Sequence, residues 1–391
     1  MFKEMAAIRN KEIFDFLDEQ KEILLKIYND KGSQGLRGHN GPYKDQETGI
    51  RGQAHLVVLL SNLDRARHEK VHESIVIKLV NDILNSSYRK DKIVFIQRNK
   101  PGKDEINGVI GIAWIIEAMS CAVEVYGIES AKHFLSTVED SLQFDLKRSL
   151  WYRPDVCSSK YTNTIDETFN HQLWLAYSLI YSSKVLGAPI SSNVRAFFHR
   201  LNLNMLVRND GLIGHQVGVN DTIFNALKHQ VKLWRNVFLS LVAKRSLRYK
   251  EYGYHLFNMY AFARIENLGF GFLFHQNRGF KKAILFCTKD VLLKSLLINR
   301  DRVDFYIRDN DSGLMYNRYG FPYNVSGFEF LYVNKVFNLN CQKILETEYW
   351  EAQLNCFGII DKTNVNKSKI ISEDELNLFL RSYELSNVLN S

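Results

Sequence analysis

Apolar residues recur at steps of three and four along most of this chain, which is the period of an amphipathic helix. Ile112, Ile115, Ile116 and Met119 show the pattern in one of the most apolar segments. Glycine, asparagine, aspartate and proline fall between the periodic segments, where connections are expected. The pattern predicts helices at about residues 9–28, 52–63, 69–84, 109–126, 130–144, 168–186, 193–205, 222–244, 253–266, 281–298, 327–338 and 347–357. Residues 270–274 are compatible with a short strand, and we expect no sheet.

Five of these helices begin with polar or aromatic residues after a glycine or an asparagine. The segments start at Gly49, Asn107, Thr168, Gly253 and Tyr323 and recur at roughly 60- to 75-residue intervals, with a longer interval before Gly253. A repeat of one polar-tipped helix and one ordinary amphipathic helix indicates stacked helical hairpins. We therefore predict an all-α fold, an (α/α)6-type toroid in which the polar tips of the inner helices converge on one cleft. The alternative is an ordinary helical array whose helix starts are similar.

The same pattern divides the chain into three parts. Residues 1–42 are predicted to form an N-terminal helix and a lead-in loop, and residues 43–357 the toroid, which would be the catalytic domain. Residues 358–391 are predicted to be a polar C-terminal tail or a short helix.

Composition narrows the class of protein. The chain has 391 residues, of which 46% are hydrophobic, 24% charged and 13% aromatic, a balance that excludes disordered, collagen-like and disulfide-scaffold proteins. The chain has five cysteines, one of which is Cys157, and no two of them form a C-x-x-C motif. This usage is typical of reduced thiols in a cytosolic protein. Residues 1–20 lack the apolar core of a signal peptide, and no uninterrupted apolar run reaches the length of a membrane span. We therefore expect a soluble, cytoplasmic protein.

The charge balance favours anionic partners. Lysine and arginine number 51 against 43 acidic residues, which gives a net charge of +8. The basic residues are scattered, with the densest cluster at residues 244–250, and no nucleic-acid-binding signature accompanies them. We therefore expect no nucleic-acid partner. An excess of solvated basic residues at the surface would explain the net charge equally well.

Residues 43–55 place several hydrogen-bonding side chains just before an apolar helix. They include Asp45, Glu47, Arg51, Gln53 and His55. Helix capping needs only one such residue, so the segment is a candidate for ligand binding. The alternative is a capping network whose remaining side chains are solvated.

Residues 164–174 form the richest segment. Asp166 precedes Asn170, His171, Gln172 and Trp174. A histidine beside an asparagine suits proton abstraction next to a carboxylate, because the amide stabilises the enolate-like intermediate while the neutral imidazole takes the proton. The alternative is a core histidine bound to a neighbouring backbone group.

Other polar residues at helix starts and in glycine-containing loops are weaker candidates. Each is individually more typical of packing, but all of them occupy the type of position that a site at one end of a ring requires. They are Trp114, Glu117, Asp210, His215, Tyr254, His255, Asn258, Tyr319, Tyr323 and Glu329.

One motif indicates a different chemistry. His68, Glu69 and His72 match H-E-x-x-H, in which two histidines on one helical face bind zinc. The match lies at a charged helix start rather than inside an apolar helix, so a zinc hydrolase is a remote alternative. We expect no metal and no cofactor.

The motifs taken in order resemble one family. DQETGIRGQAH, NGVIGIAWIIEA, TIDETFNHQLW, GYHLFNMYAFA and YNVSGFEF are similar to those of a six-hairpin, glycosidase-like family named after the Q protein of archaeal N-glycosylation clusters, whose bacterial members lie in surface-polysaccharide loci. The resemblance runs from about residue 43 to 337 and implies a toroid acting on a glycan. The pair Asn170–His171 also resembles the Asn-His pair of toroidal uronate lyases.

Two chemistries compete for such a substrate. In the first, His171 or a tyrosine removes the C5 proton of a uronic acid whose carboxylate is bound by Asn170, Gln172 or Arg51, giving a lyase or an epimerase. In the second, two carboxylates hydrolyse a glycosidic bond. A third possibility is a non-catalytic toroid that binds a glycan or scaffolds glycosyltransferases. We favour proton abstraction, with Asp166, Glu47, His55 and Tyr323 among the catalytic candidates. The expected partner is an acidic oligosaccharide or a lipid-linked precursor, with glycosyltransferases and a peripheral membrane contact as further candidates.

Overall fold

A computed structural model describes residues 2–154, 164–218, 241–298, 305–309, 313–339, 341, 343–359 and 369–391, with the side chains of 2–8 and 241–246 left out. Most of the predicted helix at 222–244 lies outside these residues, and so does Cys157. All structural statements below concern the described part of the chain.

Helices dominate the described residues. They are α1 (Phe2–Lys31), α2 (Ile50–Arg67), α3 (Glu73–Leu84), α4 (Ile110–Tyr126), α5 (Glu129–Val138), α6 (Phe169–Val185), α7 (Ser192–His199), α8 (Leu201–Asn204), α9 (Leu241–Asn267), α10 (Arg278–Cys287), α11 (Asp290–Leu296), α12 (Phe321–Asn324), α13 (Ser326–Phe337), α14 (Lys343–Cys356), α15 (Glu375–Leu380) and α16 (Tyr383–Leu389). Short 3₁₀ turns span Gly32–Leu36, Gly41–Tyr43, Glu139–Ser141 and Gly271–Leu273. None of the described helices has the length and apolar character to cross a membrane.

Short strands pair antiparallel between the helices. They are β1 (Phe144–Asp145) with β2 (Leu150–Trp151), β3 (Met205–Val207) with β4 (Ile213–Val217), and β7 (Met315–Asn317) between β5 (Leu297–Ile298) and β6 (Tyr306–Arg308). The expectation of no sheet is therefore wrong, because chain segments of two to five residues pair where they turn back between helices. Residues 270–274, whose sequence is compatible with a short strand, contain the 3₁₀ turn Gly271–Leu273 instead.

Six helices follow one another in a closed cycle of contacts. Helix α2 packs against α4, α4 against α6, α6 against α9, α9 against α13, α13 against α16, and α16 against α2. The other long helices pack on the outside of one or two members: α1, α3, α5, α7, α10 and α14. Burial follows this division, since residues 50–64 of α2 are all buried whereas α3 and α5 alternate buried and exposed positions. A helix covered on all sides has no solvent-facing polar stripe, which agrees with the uninterrupted burial of residues 50–64.

Candidate active site

A pocket of about 230 Å³ opens where the N-terminal tips of several helices in the cycle meet. Two loop segments, one before α2 and one before α4, form part of its walls. The first turns of α4, α6 and α12 form another part. Strand β4, helix α9 and the residue after α15 complete the lining. The described lining consists of Asn40, Tyr43, Arg98, Lys103, Asn107, Ile110, Trp114, Thr168, Asn170, His171, His215, Lys250, Tyr254, Phe257, Tyr323, Asn324 and Arg381.

His171 is held in this pocket by a buried carboxylate. Its Nδ1 lies 2.8 Å from Oδ2 of Asp166, which also accepts a hydrogen bond of 2.9 Å from the backbone amide of Val109. Burial alone would raise the pKa of Asp166, but His171 and the Val109 amide hold it at about 2. Since Asp166 occupies Nδ1, Nε2 is the ring nitrogen that remains for a ligand.

A glycine makes room for this pair. Gly108 has a φ of +61°, and a Cβ atom at this position would lie 1.9 Å from Oδ2 of Asp166 and 2.6 Å from Nδ1 of His171. A side chain at position 108 would therefore displace the carboxylate, the imidazole or both.

Two further titratable groups face the same space. Burial lowers the pKa of His215 to about 3, with Lys250 and His171 adding to the effect, so His215 is neutral at pH 7. Burial also lowers the pKa of Lys250 to about 8, and the charge of Lys103 contributes. The ammonium of Lys250 lies 5.0 Å from the centre of the Tyr43 ring and 5.8 Å from that of Tyr254, and no hydrogen bond or ion pair to a described residue is seen for it. A half-buried cation whose neighbours are aromatic rings favours an anionic ligand.

Three tyrosines form one wall. The hydroxyl groups of Tyr43 and Tyr254 are 2.9 Å apart, and Tyr323 donates a hydrogen bond of 2.6 Å to Oδ1 of Asn40. Burial raises the pKa of all three phenols. They therefore remain protonated at neutral pH and act as hydrogen-bond or proton donors.

Behind Tyr323 lies a buried polar chain. Arg51 donates to Asn40 Oδ1 at 3.0 Å, to Glu47 Oε2 at 2.8 Å and to Asn377 Oδ1 at 2.7 Å. Burial raises the pKa of Glu47 to about 7 despite this partner. Arg51 and Glu47 thus position Asn40 and Tyr323 rather than line the pocket themselves.

The structure separates the sequence candidates by depth. Trp114, Asn170, His171, His215 and Tyr323 line the pocket. Asp166 supports His171, and Asp45 contacts Arg98 and Lys103 of the wall. Five lining residues hold a buried polar atom with no hydrogen-bond partner among the described residues: Nε1 of Trp114, Oδ1 of Asn170, Nδ1 of His215, Oδ1 of Asn324 and Nε of Arg381.

Glu117 and Glu329 instead lie in the interior of the helix cycle. Tyr177 donates to Glu117 at 2.8 Å, and Arg264 approaches the same carboxylate at 3.7 Å. Glu329 lies 3.3 Å from Arg381, which also pairs with Glu384 at 2.6 Å. These carboxylates belong to a buried ion network beneath the pocket.

The remaining candidates do not line the pocket and contact neighbouring residues instead. Gln172 bonds to both backbone groups of Trp151, Trp174 stacks on Phe257, and His255 contacts the amide of Ile213 and the carbonyl of Ala283. Asp210 pairs with Arg248, and Asn258 donates to the carbonyl of Tyr254. His55 and Gln53 are buried in the core, where the His55 ring packs against Trp114 and Tyr383.

The H-E-x-x-H match spans a turn between two helices. His68, with a φ of +56°, ends α2 and is exposed, whereas His72 is buried and bonds through Nδ1 to Asp64 at 2.6 Å. The two histidines therefore do not share a helical face, as a zinc site of this type requires. Among the described residues no cluster of histidine, cysteine and carboxylate side chains has the arrangement of a metal site.

Sequence reasoning missed several residues of the pocket. Lys250 lies in the basic cluster at 244–250, one helical turn before Tyr254, and this spacing was an available signal. Arg381 belongs to the segment 358–391, and no local pattern places that segment next to the pocket. Arg98 and Lys103 lie in a loop whose position depends on Asp45.

The described part of the chain is mostly helical and holds a cationic pocket between several of its helices. No family model matches the chain. It is 29% identical over 345 residues to the Archaeal glycosylation protein Q of Haloferax volcanii, an alignment that covers 86% of this chain and 87% of that protein. The resemblance to the family named after the Q protein is thereby confirmed over most of the chain. The name of this relative assigns it to archaeal glycosylation.

Proposed function

We propose that this protein is a carbohydrate-active enzyme that removes the C5 proton of a uronate in an acidic glycan precursor for surface polysaccharide or protein glycosylation. The cycle of six helices supports an (α/α)6-type toroid with its cleft at the polar tips. The observation that carries the proposal is His171, held by Asp166 at the wall of a pocket whose described lining contains several cations and no carboxylate.

His171 is the proposed base. With Nδ1 bonded to Asp166, the lone pair of a neutral imidazole lies on Nε2, where it accepts the C5 proton. The ionised carboxylate of Asp166 then stabilises the imidazolium that forms. This division of labour requires Asp166 to keep its charge, which agrees with its low pKa.

The substrate carboxylate is the proposed ligand of Lys250 and Asn170. Removal of the C5 proton places negative charge on the carboxylate as an enolate, so an ammonium and an amide directed at these oxygens stabilise the transition state more than the ground state. Lys250 lies in the wall without an anionic partner among the described residues, which suits this role.

The tyrosines are the proposed proton donors. If the C4–O bond then breaks, a phenol protonates the departing oxygen and an unsaturated sugar results. If the C4–O bond stays intact, a phenol returns a proton to the opposite face of C5 and the epimer results. Tyr323 and Tyr254 line the pocket and retain their protons at neutral pH, so either outcome has a donor.

Hydrolysis would need two carboxylates, about 5 to 10 Å apart, with access to one bond. The described carboxylates near the pocket are already engaged: Asp166 by His171, Glu47 by Arg51, and Asp45 by three cations. This arrangement favours proton abstraction. The similarity to a protein named for glycosylation supports a glycan as substrate.

The test is incubation with uronate-containing oligosaccharides and carrier-linked uronates in deuterated water. Deuterium at C5 or an ultraviolet-absorbing unsaturated product, lost in His171→Ala, is the expected result. New reducing ends without either signal would overturn proton abstraction in favour of hydrolysis. Glycan binding without any chemical change would favour the third possibility, a non-catalytic toroid that binds a glycan.

A further inference from the structure

Three cations surround one carboxylate at the outer part of the pocket. Asp45 is fully buried and lies 3.0 Å from Arg98, 2.8 Å from Lys100 and 2.8 Å from Lys103. The side chains of Lys100 and Lys103 are 35% and 36% exposed, so they face solvent while Asp45 does not. One carboxylate neutralises one of the three charges, and a positive charge of two remains.

The neighbouring acid forms no ion pair with the three cations among the described residues. Asp104 follows Lys103 in the chain, but its carboxylate accepts hydrogen bonds from the backbone amides of Ile106 and Gly108. On the other side, Lys103 and Lys250 lie over the same Tyr43 ring, at 5.4 and 5.0 Å from its centre. The excess positive charge therefore continues from the outer cluster into the pocket.

The size of the pocket places a second constraint on the ligand. Sites for drug-sized molecules span about 300–1,000 Å³, so a pocket of about 230 Å³ suits a single sugar residue. Whatever the sugar is attached to must leave the pocket past its open side, where Lys103 is exposed.

We propose that the cluster of Arg98, Lys100 and Lys103 binds a phosphoryl group attached to the anomeric carbon of the substrate uronate. The inference rests on the proposed function, since it takes the uronate itself to lie beside His171. A guanidinium and two ammonium groups are the side chains that bind phosphate oxygens most strongly, and a charge excess of two matches a doubly ionised phosphate or diphosphate. The carrier beyond the phosphate is either a nucleoside or a lipid.

The test compares binding of glucuronate and glucuronate 1-phosphate to the full chain by isothermal titration calorimetry. We expect the phosphate to bind about 10- to 100-fold more tightly, the effect of one or two charge-assisted hydrogen bonds. Lys103→Met should remove most of this difference; the readout is the ratio of the two affinities, because Lys103 also lines the pocket that takes the uronate. Lys70→Met, at an exposed lysine beyond the far end of α2, is the matched control and should retain it.

Each outcome decides between the two proposals. Equal affinity for the two sugars would overturn the phosphoryl site and leave the proposed function intact. A preference for the phosphate that persists in Lys103→Met would also overturn it. Binding of neither sugar would overturn both proposals. If the preference is confirmed, titration with a nucleoside diphosphate glucuronate and with a prenyl diphosphate glucuronate in detergent identifies the carrier.

Discussion

The helix tips and the interior of the helix cycle both carry charged residues, but they use them differently. In the interior, Glu117 contacts Tyr177 and Arg264, and Glu329 and Glu384 share Arg381. At the tips, Lys250 has no anionic partner among the described residues. The interior carboxylates are paired with arginines, whereas the pocket keeps charge and hydrogen-bonding capacity for a ligand.

The difference shows that depth along a helix decides the role of a polar residue. Trp114 and Glu117 lie one turn apart on α4, yet the first lines the pocket and the second lies in the ion network. Burial raises the pKa of Glu384 to about 8, and burial together with Glu384 raises that of Glu329, so this carboxylate pair retains a proton at neutral pH. Such a proton reduces the repulsion between the buried carboxylates rather than serving a reaction.

The largest expected effect comes from the tips. His171→Ala should lower kcat by about 10²- to 10⁴-fold, the contribution of a general base, and lower the free energy of unfolding by only about 1–2 kcal/mol, because the buried Asp166 loses the imidazole but keeps the amide of Val109. His133→Ala, at an exposed histidine of α5, is the matched control. Both quantities are measured by initial rates and urea denaturation. If the loss of stability accounts for the whole loss of activity, His171 has a structural role and not a catalytic one.

The interior should respond in the opposite way. Arg264→Met leaves the buried Glu117 without its cation and the hydroxyl oxygen of Tyr177 without its donors, so we expect the free energy of unfolding to fall by about 3–5 kcal/mol. The activity per folded molecule should be retained. Arg195→Met, at an exposed arginine of α7, controls for loss of an arginine. Normal stability combined with lost turnover would place Arg264 in the chemistry instead.

Lys250 connects charge at the tips to pH. Its pKa of about 8 means that the ammonium is charged below this pH and neutral above it. We therefore expect kcat/KM for a uronate substrate to fall as the pH rises through about 8. Lys250→Met should lower kcat/KM about 10- to 100-fold at pH 7 and abolish this fall.

Lys282→Met, at an exposed lysine of α10, should keep the wild-type pH profile. An unchanged fall in Lys250→Met would assign the pH dependence to another group.

The smallest expected effect concerns the turn between α2 and α3, which belongs to neither region. His72→Ala removes the contact with Asp64 and should lower the free energy of unfolding by about 1–2 kcal/mol without changing kcat. His68→Ala, at its exposed neighbour, should change neither. A loss of turnover in both variants, or inactivation by a chelator, would revive the zinc alternative.

The periodicity of the sequence predicted single helices more reliably than their arrangement. Helix α4 was predicted at 109–126 and spans Ile110–Tyr126, because its apolar pattern ends at Gly127, which takes a left-handed conformation. By contrast, the predicted helix at 253–266 is part of α9, since the polar residues that precede Gly253 continue the helix instead of starting it.

The candidate site was predicted where chemistry and local position coincide. His171 and Asn170 combine reactive side chains with a helix start, and the structure places both in the pocket. Glu117 and Glu329 also lie near helix starts in the sequence, but the structure places them deeper than the pocket. Their depth depends on how far each helix extends past its neighbours, which the sequence pattern does not contain. Arg381 reaches the pocket only because α16 packs between α2 and α13, a contact that no local pattern contains.

The contact between α2 and α16 also sets the order in which the molecule can be completed. Asn62 of α2 donates hydrogen bonds to Ser386 and Asn387 of α16, more than 300 residues later in the chain. At about 5–20 residues per second, translation would leave one flank of α2 uncovered for tens of seconds. Helix α16 thus closes the cycle, and the nascent protein would expose that flank of α2 to solvent until α16 is in place.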